Sequence, residues 1–169
     1  MNYLYHIVPD NLKGKTLCPL NILRTKHLGL YKKETKKYKK RKHVMKIKIP
    51  VLNCTWNDVL HFTPVHPLKI RAALRKAAGP KIKLKEIKWF KINTKLLDKK
   101  KTIVWLDKEK KFVEFDKNKL SKYEKVPKET IVYYKSCFES KEKPLLFNLI
   151  PHILYKGSVS VKNIEIIKT

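Results

Sequence analysis

Six histidines, His6, His27, His43, His61, His66 and His152, are the side chains of this chain best suited to moving protons near neutral pH. His6, His61 and His152 each stand in or next to a segment that reads as a strand, within strongly apolar sequence. A histidine so placed is more often a hydrogen-bonded core or rim residue than a catalytic group. Three of them on separate strands can nevertheless converge on one cleft, and on that ground His6, His61 and His152 are the candidate catalytic residues. No acidic residue accompanies them at a recognisable ligand spacing, so no metal site is expected.

Other chemistries find little support. The chain has no P-loop, no G-x-G-x-x-G, no G-x-S-x-G and no H-E-x-x-H, and four glycines leave no backbone cradle for phosphate. No serine sits in a strand–turn–helix elbow. Asp58 is the only acid between Glu34 and Glu86, which leaves paired-carboxylate glycoside chemistry little to work with. Cys18, Cys54 and Cys137 are odd in number and far apart, and read as reduced, small, core-type residues rather than as nucleophiles or zinc ligands.

Charge is the second signal. Forty-one basic against fourteen acidic residues give a net charge of +27. It falls along the chain, with +12 over residues 1–50, +9 over 51–100 and +6 over 101–169. Such a field favours a polyanion, nucleic acid first. The basic set is 37 Lys to four Arg beside 15 Ile, a bias that AT-rich coding also produces. Lysine is a hydrated point charge and arginine the bidentate reader of bases, so the expected contact is backbone-directed and salt-sensitive. Eight of the eleven residues 32–42 are basic. Within this run Lys36, Lys37, Lys39, Lys40 and Arg41 are candidate nucleic-acid contacts, against the plainer reading of a solvated helix face. Tyr31 and Tyr38 interleave with the run, and Trp89 beside Phe90 in a Lys-rich strand is a candidate stacking platform.

The elements that must position these residues follow from periodicity. Leu, Ile, Val and Phe make up 52 of 169 residues, enough for one buried core and one domain over 1–169. Residues 2–9, ended by Pro9, and 44–49, 60–62 and 81–92 read as strands, the last one bulged, and the segments 102–106 and 112–115 as a hairpin. "TIVYY" (130–134) reads as another strand, and 152–167 as a final pair turning at Lys156-Gly157. Leu20, Leu23, Leu28 and Tyr31 suit a short helix interrupted near Gly29. Pro67–Ala78 is the clearest helix, with Pro at its first position and Gly79-Pro80 as its stop. Leu68, Ala72, Ala73 and Leu74 recur in it at helical spacing. Residues 116–125 suit a short helix bearing Leu120 and Tyr123. The class is α+β, with short and mainly antiparallel strands and two or three helices.

Three segments resemble the ADP-ribosyltransferase fold, in the subgroup of the DNA-targeting DarT-like toxins and the RNA 2′-phosphotransferases. "YLYHIVPDNLKGKTLCPLN" (3–21) resembles its first strand and turn, and "VLHFTPVHPLKI" (59–70) its middle strand and Pro-containing loop. "PHILYKGSVSVKNIEII" (151–167) resembles its late strand. The resemblance implies a split sheet and NAD as the cofactor. It implies His6 at the nicotinamide ribose and Phe62 or a neighbour beside the nicotinamide ring. The family's catalytic glutamate falls at or near His152, and no acid lies between Glu142 and Glu165. Without that carboxylate the oxocarbenium-like transition state loses its main electrostatic support.

The leading expectation is therefore a small basic protein that binds a polyanion, nucleic acid first, on an ADP-ribosyltransferase-like scaffold. An ADP-ribosyl or RNA phosphotransfer enzyme using His6 and His61 is the enzyme alternative, and a protein that engages an acidic protein partner is the third. No apolar run is long enough to span a bilayer, and residues 1–20 lack the pattern of a signal peptide, so a cytoplasmic setting is expected.

Overall fold

The computed structural model of this chain describes residues 2–10, 12, 14–38 and 42–169. Its first half contains β1 (Tyr3–Ile7), β2 (Thr16–Leu17), α1 (Leu20–Lys26), α2 (Leu28–Thr35), β3 (Lys48–Ile49), β4 (Cys54–Thr55), β5 (Leu60–Phe62) and α3 (Pro67–Ala78). Its second half contains β6 (Lys88–Asn93), β7 (Thr102–Leu106), β8 (Lys111–Glu114), α4 (Lys128–Glu139), β9 (His152–Tyr155), β10 (Val159–Ser160) and β11 (Ile166–Lys168). The class is α+β, and every strand pair is antiparallel.

Two sheets carry the fold, one in the order β1–β6–β11 and the other in the order β5–β9–β7–β8. Among the described residues one backbone bridge joins them, where the Tyr5 amide donates to Thr63 O at 2.8 Å and the Thr63 amide donates to Tyr5 O at 3.0 Å. Strand alternation then sorts the side chains into layers. Leu4, Phe90 and Ile92 from the first sheet meet Leu60, Phe62 and Ile153 from the second in the central core. Tyr5 and Trp89, on the other face of the first sheet, pack with Ile70 of α3 and Tyr134 of α4. Ile103 and Leu154, on the outer face of the second sheet, pack with Ile49, Leu52 and Trp56. The chain thus has a helical layer, a sheet, a core, a second sheet and an irregular cover.

Several local expectations are met. The α3 helix has Pro67 in its first turn and Gly79 as its cap at φ 70, a left-handed conformation that glycine adopts without strain. The α1 and α2 helices break at His27. β7 and β8 pair as a hairpin. A Cβ at Gly157 would stand 2.9 Å from the outer edge of the Tyr155 ring, so a larger residue there requires that ring to shift.

Others are corrected. "TIVYY" lies inside α4, not in a strand. Thr130, Tyr134 and Cys137 recur at helical spacing on its buried face, and that burial overrides the β-branched composition. The buried face of α3 is Pro67, Ile70, Ala73 and Leu74, while Leu68 is 58% exposed and Ala72 is exposed too. Residues 81–87 precede the strand, which starts at Lys88, and of the stretch read as a strand over 44–49 only Lys48–Ile49 is strand, its first half belonging to a 3-10 turn, Lys42–Lys46. The helix expected over 116–125 is likewise a 3-10 segment, Lys117–Tyr123. β9 and β10 are no hairpin, because β10 pairs with β2.

Candidate functional site

His6 and His61 line one cavity of about 390 Å³. β1 delivers His6 from the first sheet and β5 delivers His61 from the second, so the site sits where the two sheets meet. Its apolar wall comes from Leu12, Leu17, Leu60 and, from α1 and α2, Leu23 and Leu30. The polar lining adds His27, Glu34 and Tyr38, with Lys15 and Lys26 as cations. Neither α1 nor α2 buries a single residue, so the helical pair covers the cavity without being sealed into a core.

Both strand histidines are anchored by backbone carbonyls, which fixes their tautomers when neutral. A carbonyl only accepts, so the ring nitrogen facing it carries the proton. His6 Nδ1 donates to Ile7 O at 2.6 Å, and its ring meets the Phe62 ring edge-on at 5.5 Å. His61 Nε2 donates to Trp56 O at 3.1 Å, and its ring packs on Trp56 at 4.6 Å. The nitrogens with the lone pair are then Nε2 of His6 and Nδ1 of His61.

Asp58 sets that second anchor in place. Its carboxylate accepts from the amide and hydroxyl of Thr55, both at 2.7 Å, and from the side-chain amide of Asn21. This closes a capping box on the turn Trp56–Asp58 and ties α1 to it. Burial pushes the Asp58 carboxyl up, but the bonds from Asn21 and Thr55 outweigh it and hold the group below the usual carboxylate range. Asp58 is thus a structural carboxylate that holds the roof to the anchor of His61.

His152 stands at the head of β9, beside His61 (ring centroids 6.0 Å apart), but it does not line the cavity. Trp56 and Phe147 enclose its ring, and its Nδ1 is buried with no hydrogen-bond partner. Burial pushes its pKa down to about 4, against the opposing pull of the Asp107 carboxylate, so at neutral pH it is an uncharged ring. This corrects the expectation that His152 enters the shared site.

Phe62 is corrected as well. It is fully buried in the central core and offers no face to a nicotinamide ring. With Phe62 sealed and a neutral His152 where the family has a carboxylate, these residues do not fit an NAD site of the kind the resemblance implies. Neither a family model, nor a curated protein, nor a solved structure matches this chain.

Trp89 is the third correction. It is fully buried, with its indole N–H donating to Thr169 Oγ1 at 3.0 Å, and Phe90 is buried too. Both faces of β6 are covered, one by α3 and α4 and the other by the second sheet, so neither neighbour can stack on a base. Of the basic run, Lys36 is exposed and Lys37 lies with it in the turn Lys36–Tyr38. Lys39, Lys40 and Arg41 lie outside the described residues. His66, on the other face of the first sheet against Tyr5, is a helix cap whose Nδ1 accepts from the Leu68 amide at 3.2 Å. Burial, with Lys69 and Lys91 nearby, lowers its pKa and keeps it a neutral acceptor.

Sequence reasoning missed His27 and Glu34. Both sit on the α1–α2 pair, which reaches the cavity through tertiary packing and leaves no local spacing signal. Among the described residues, no three ligand-type side chains gather closely enough to hold a metal ion, and no helix is long and apolar enough to cross a membrane.

Proposed function

We propose that this protein binds single-stranded nucleic acid and holds one nucleotide unit in the cavity beneath α1 and α2. The observation that carries this reading is the mixed lining of that cavity in a chain of net charge +27. Leucines offer an apolar bed for a base and sugar. Lys15 and Lys26 are exposed at the same site and offer cations to the flanking phosphates. The volume falls in the usual range of small-ligand sites, roughly 300–1,000 Å³. It suits one unstacked nucleotide, the form in which single strands are read. The lysines Lys32, Lys33 and Lys36, exposed along α2 and the turn after it, extend the positive surface beside the cavity.

Lysine–phosphate contacts release counterions, so affinity must fall with salt. About three such contacts on a single strand lower affinity about 20-fold between ~50 and ~200 mM salt. A labelled oligonucleotide titrated at the two ionic strengths checks this. Binding that is absent, or indifferent to salt, rejects the reading, and tighter binding to polyglutamate than to the oligonucleotide would favour an acidic protein partner.

A further inference from the structure

We propose that Trp105 and Phe112, on the outer face of the second sheet, form a platform on which bases of single-stranded nucleic acid stack, outside the cavity. The inference deepens the nucleic-acid reading and rests on it. The two residues stand directly opposite each other on β7 and β8, so both side chains leave the same face. Their rings lie 4.7 Å apart at 47°, and both remain half-exposed. Trp56 stands edge-on to Trp105 at 6.2 Å and is itself buried, so the three rings run as a row from the cover of the fold toward β8. β8 is the last strand of its sheet. The Trp105 indole N–H donates to Asp107 Oδ1 at 3.4 Å, which holds the ring in one orientation. Fixed, part-exposed aromatic rings are the sequence-tolerant contact of single-strand binders, because every base has a face to offer.

The surroundings carry the charge that such a partner needs. The turn Lys42–Lys46 packs on the same apolar cluster through Val44, and Ile47 O accepts from the Trp56 amide at 2.9 Å. That anchorage brings Lys42, Lys46 and Lys48, all exposed, to the side of the aromatic row, and no acid among the described residues pairs with them. Of the three acids on the hairpin, Asp107 is paired with Lys110 and Glu114 with Lys99, which leaves Glu109 in the turn. A stacked base thus finds rings, and its flanking phosphates find lysines. The platform also adjoins the cavity, because Val59 lines the cavity and belongs to the cluster in which Trp56, Trp105 and Phe112 pack. One strand can therefore place one nucleotide in the cavity and stack another on the rings.

The test follows tryptophan fluorescence while a single-stranded oligonucleotide, or an abasic strand of the same length and charge, is added at low salt. Trp56 and Trp89 are buried, and among the described residues no tryptophan lines the cavity, so quenching by bases reports Trp105. The proposal expects quenching by the oligonucleotide and none by the abasic strand. Phe112→Leu keeps an apolar side chain but removes the ring, and should weaken oligonucleotide binding roughly fivefold or more. Phe112→Tyr keeps the ring and should bind as the unsubstituted chain does. Oligonucleotide binding without quenching, or with quenching that the abasic strand equals, overturns the inference and leaves the binding reading standing. So does an unchanged affinity in Phe112→Leu, or an equal loss in Phe112→Tyr. A failure of both strands to bind overturns the two readings together. The quenching comparison uses the unsubstituted chain, so it decides the matter even if a variant fails to fold.

Discussion

Two helical pairs flank this fold, and they are built in opposite ways. α3 and α4 press on the first sheet with a continuous buried face, and Ile70, Trp89 and Tyr134 between them are fully buried. α1 and α2 bury no residue, and a cavity lies beneath them. The first pair is part of the core and its stability is the stability of the fold. The second is tied to the rest of the fold by bonds such as Asn21–Asp58, and leaves room for a ligand. Regions with few buried contacts open at low free-energy cost, which is where binding elements are found.

The largest effect that separates the two sides is on stability. Trp89→Ala empties the closed side of its largest buried side chain and should cost about 3–5 kcal/mol in denaturant unfolding. Ile70→Ala should cost about 2–4 kcal/mol by the same mechanism. Leu23→Ala on the open side removes a half-buried side chain that lines the cavity, and should cost under ~1 kcal/mol while weakening oligonucleotide binding. Equal losses of stability for Ile70→Ala and Leu23→Ala would erase the contrast.

A smaller effect contrasts the sealed histidine with those of the cavity. The His152 pKa falls from an ordinary 6.5 to about 4 on folding, so the unfolded chain takes up a proton that the folded one refuses. The contribution is full above pH 6.5 and is lost as pH falls toward 4, on the order of 3 kcal/mol in all. Asp58 and Asp107, held below their ordinary range, add losses at still lower pH, as pH falls through their folded values. Unfolding curves between pH 7 and 4 should show the decline, and His152→Phe should flatten it. A decline of unchanged size in that variant would move its origin to another group.

The smallest effect is on affinity alone. Lys15→Gln with Lys26→Gln should weaken single-strand binding several-fold and make it less salt-dependent, since each lost contact lowers the salt slope by about 0.7. Unfolding should stay within about 0.5 kcal/mol, because both side chains are exposed.

How much of this was legible in the sequence follows the range of the forces involved. α3 was readable from end to end, because Pro67 and Gly79 act on the backbone locally. That His6 and His61 line one cavity was readable only from their places in apolar strand segments. α4 was misread because Thr130–Tyr134 has strand composition and only packing against α3 and the first sheet makes it a helix. Trp89 was misread because alternation says that Trp89 and Phe90 face opposite ways, and says nothing about both faces being covered. Glu34 and His27 were invisible because the turn at His27, not any spacing, swings α2 over the cavity.

Hydrogen–deuterium exchange with and without a saturating single-stranded oligonucleotide tests most directly whether the open side is the binding side. The account predicts that protection is gained in residues 14–36, covering β2, α1 and α2, and around β5, with α3 and α4 unchanged. Protection confined to α3 and α4, or spread evenly over the surface, would contradict it.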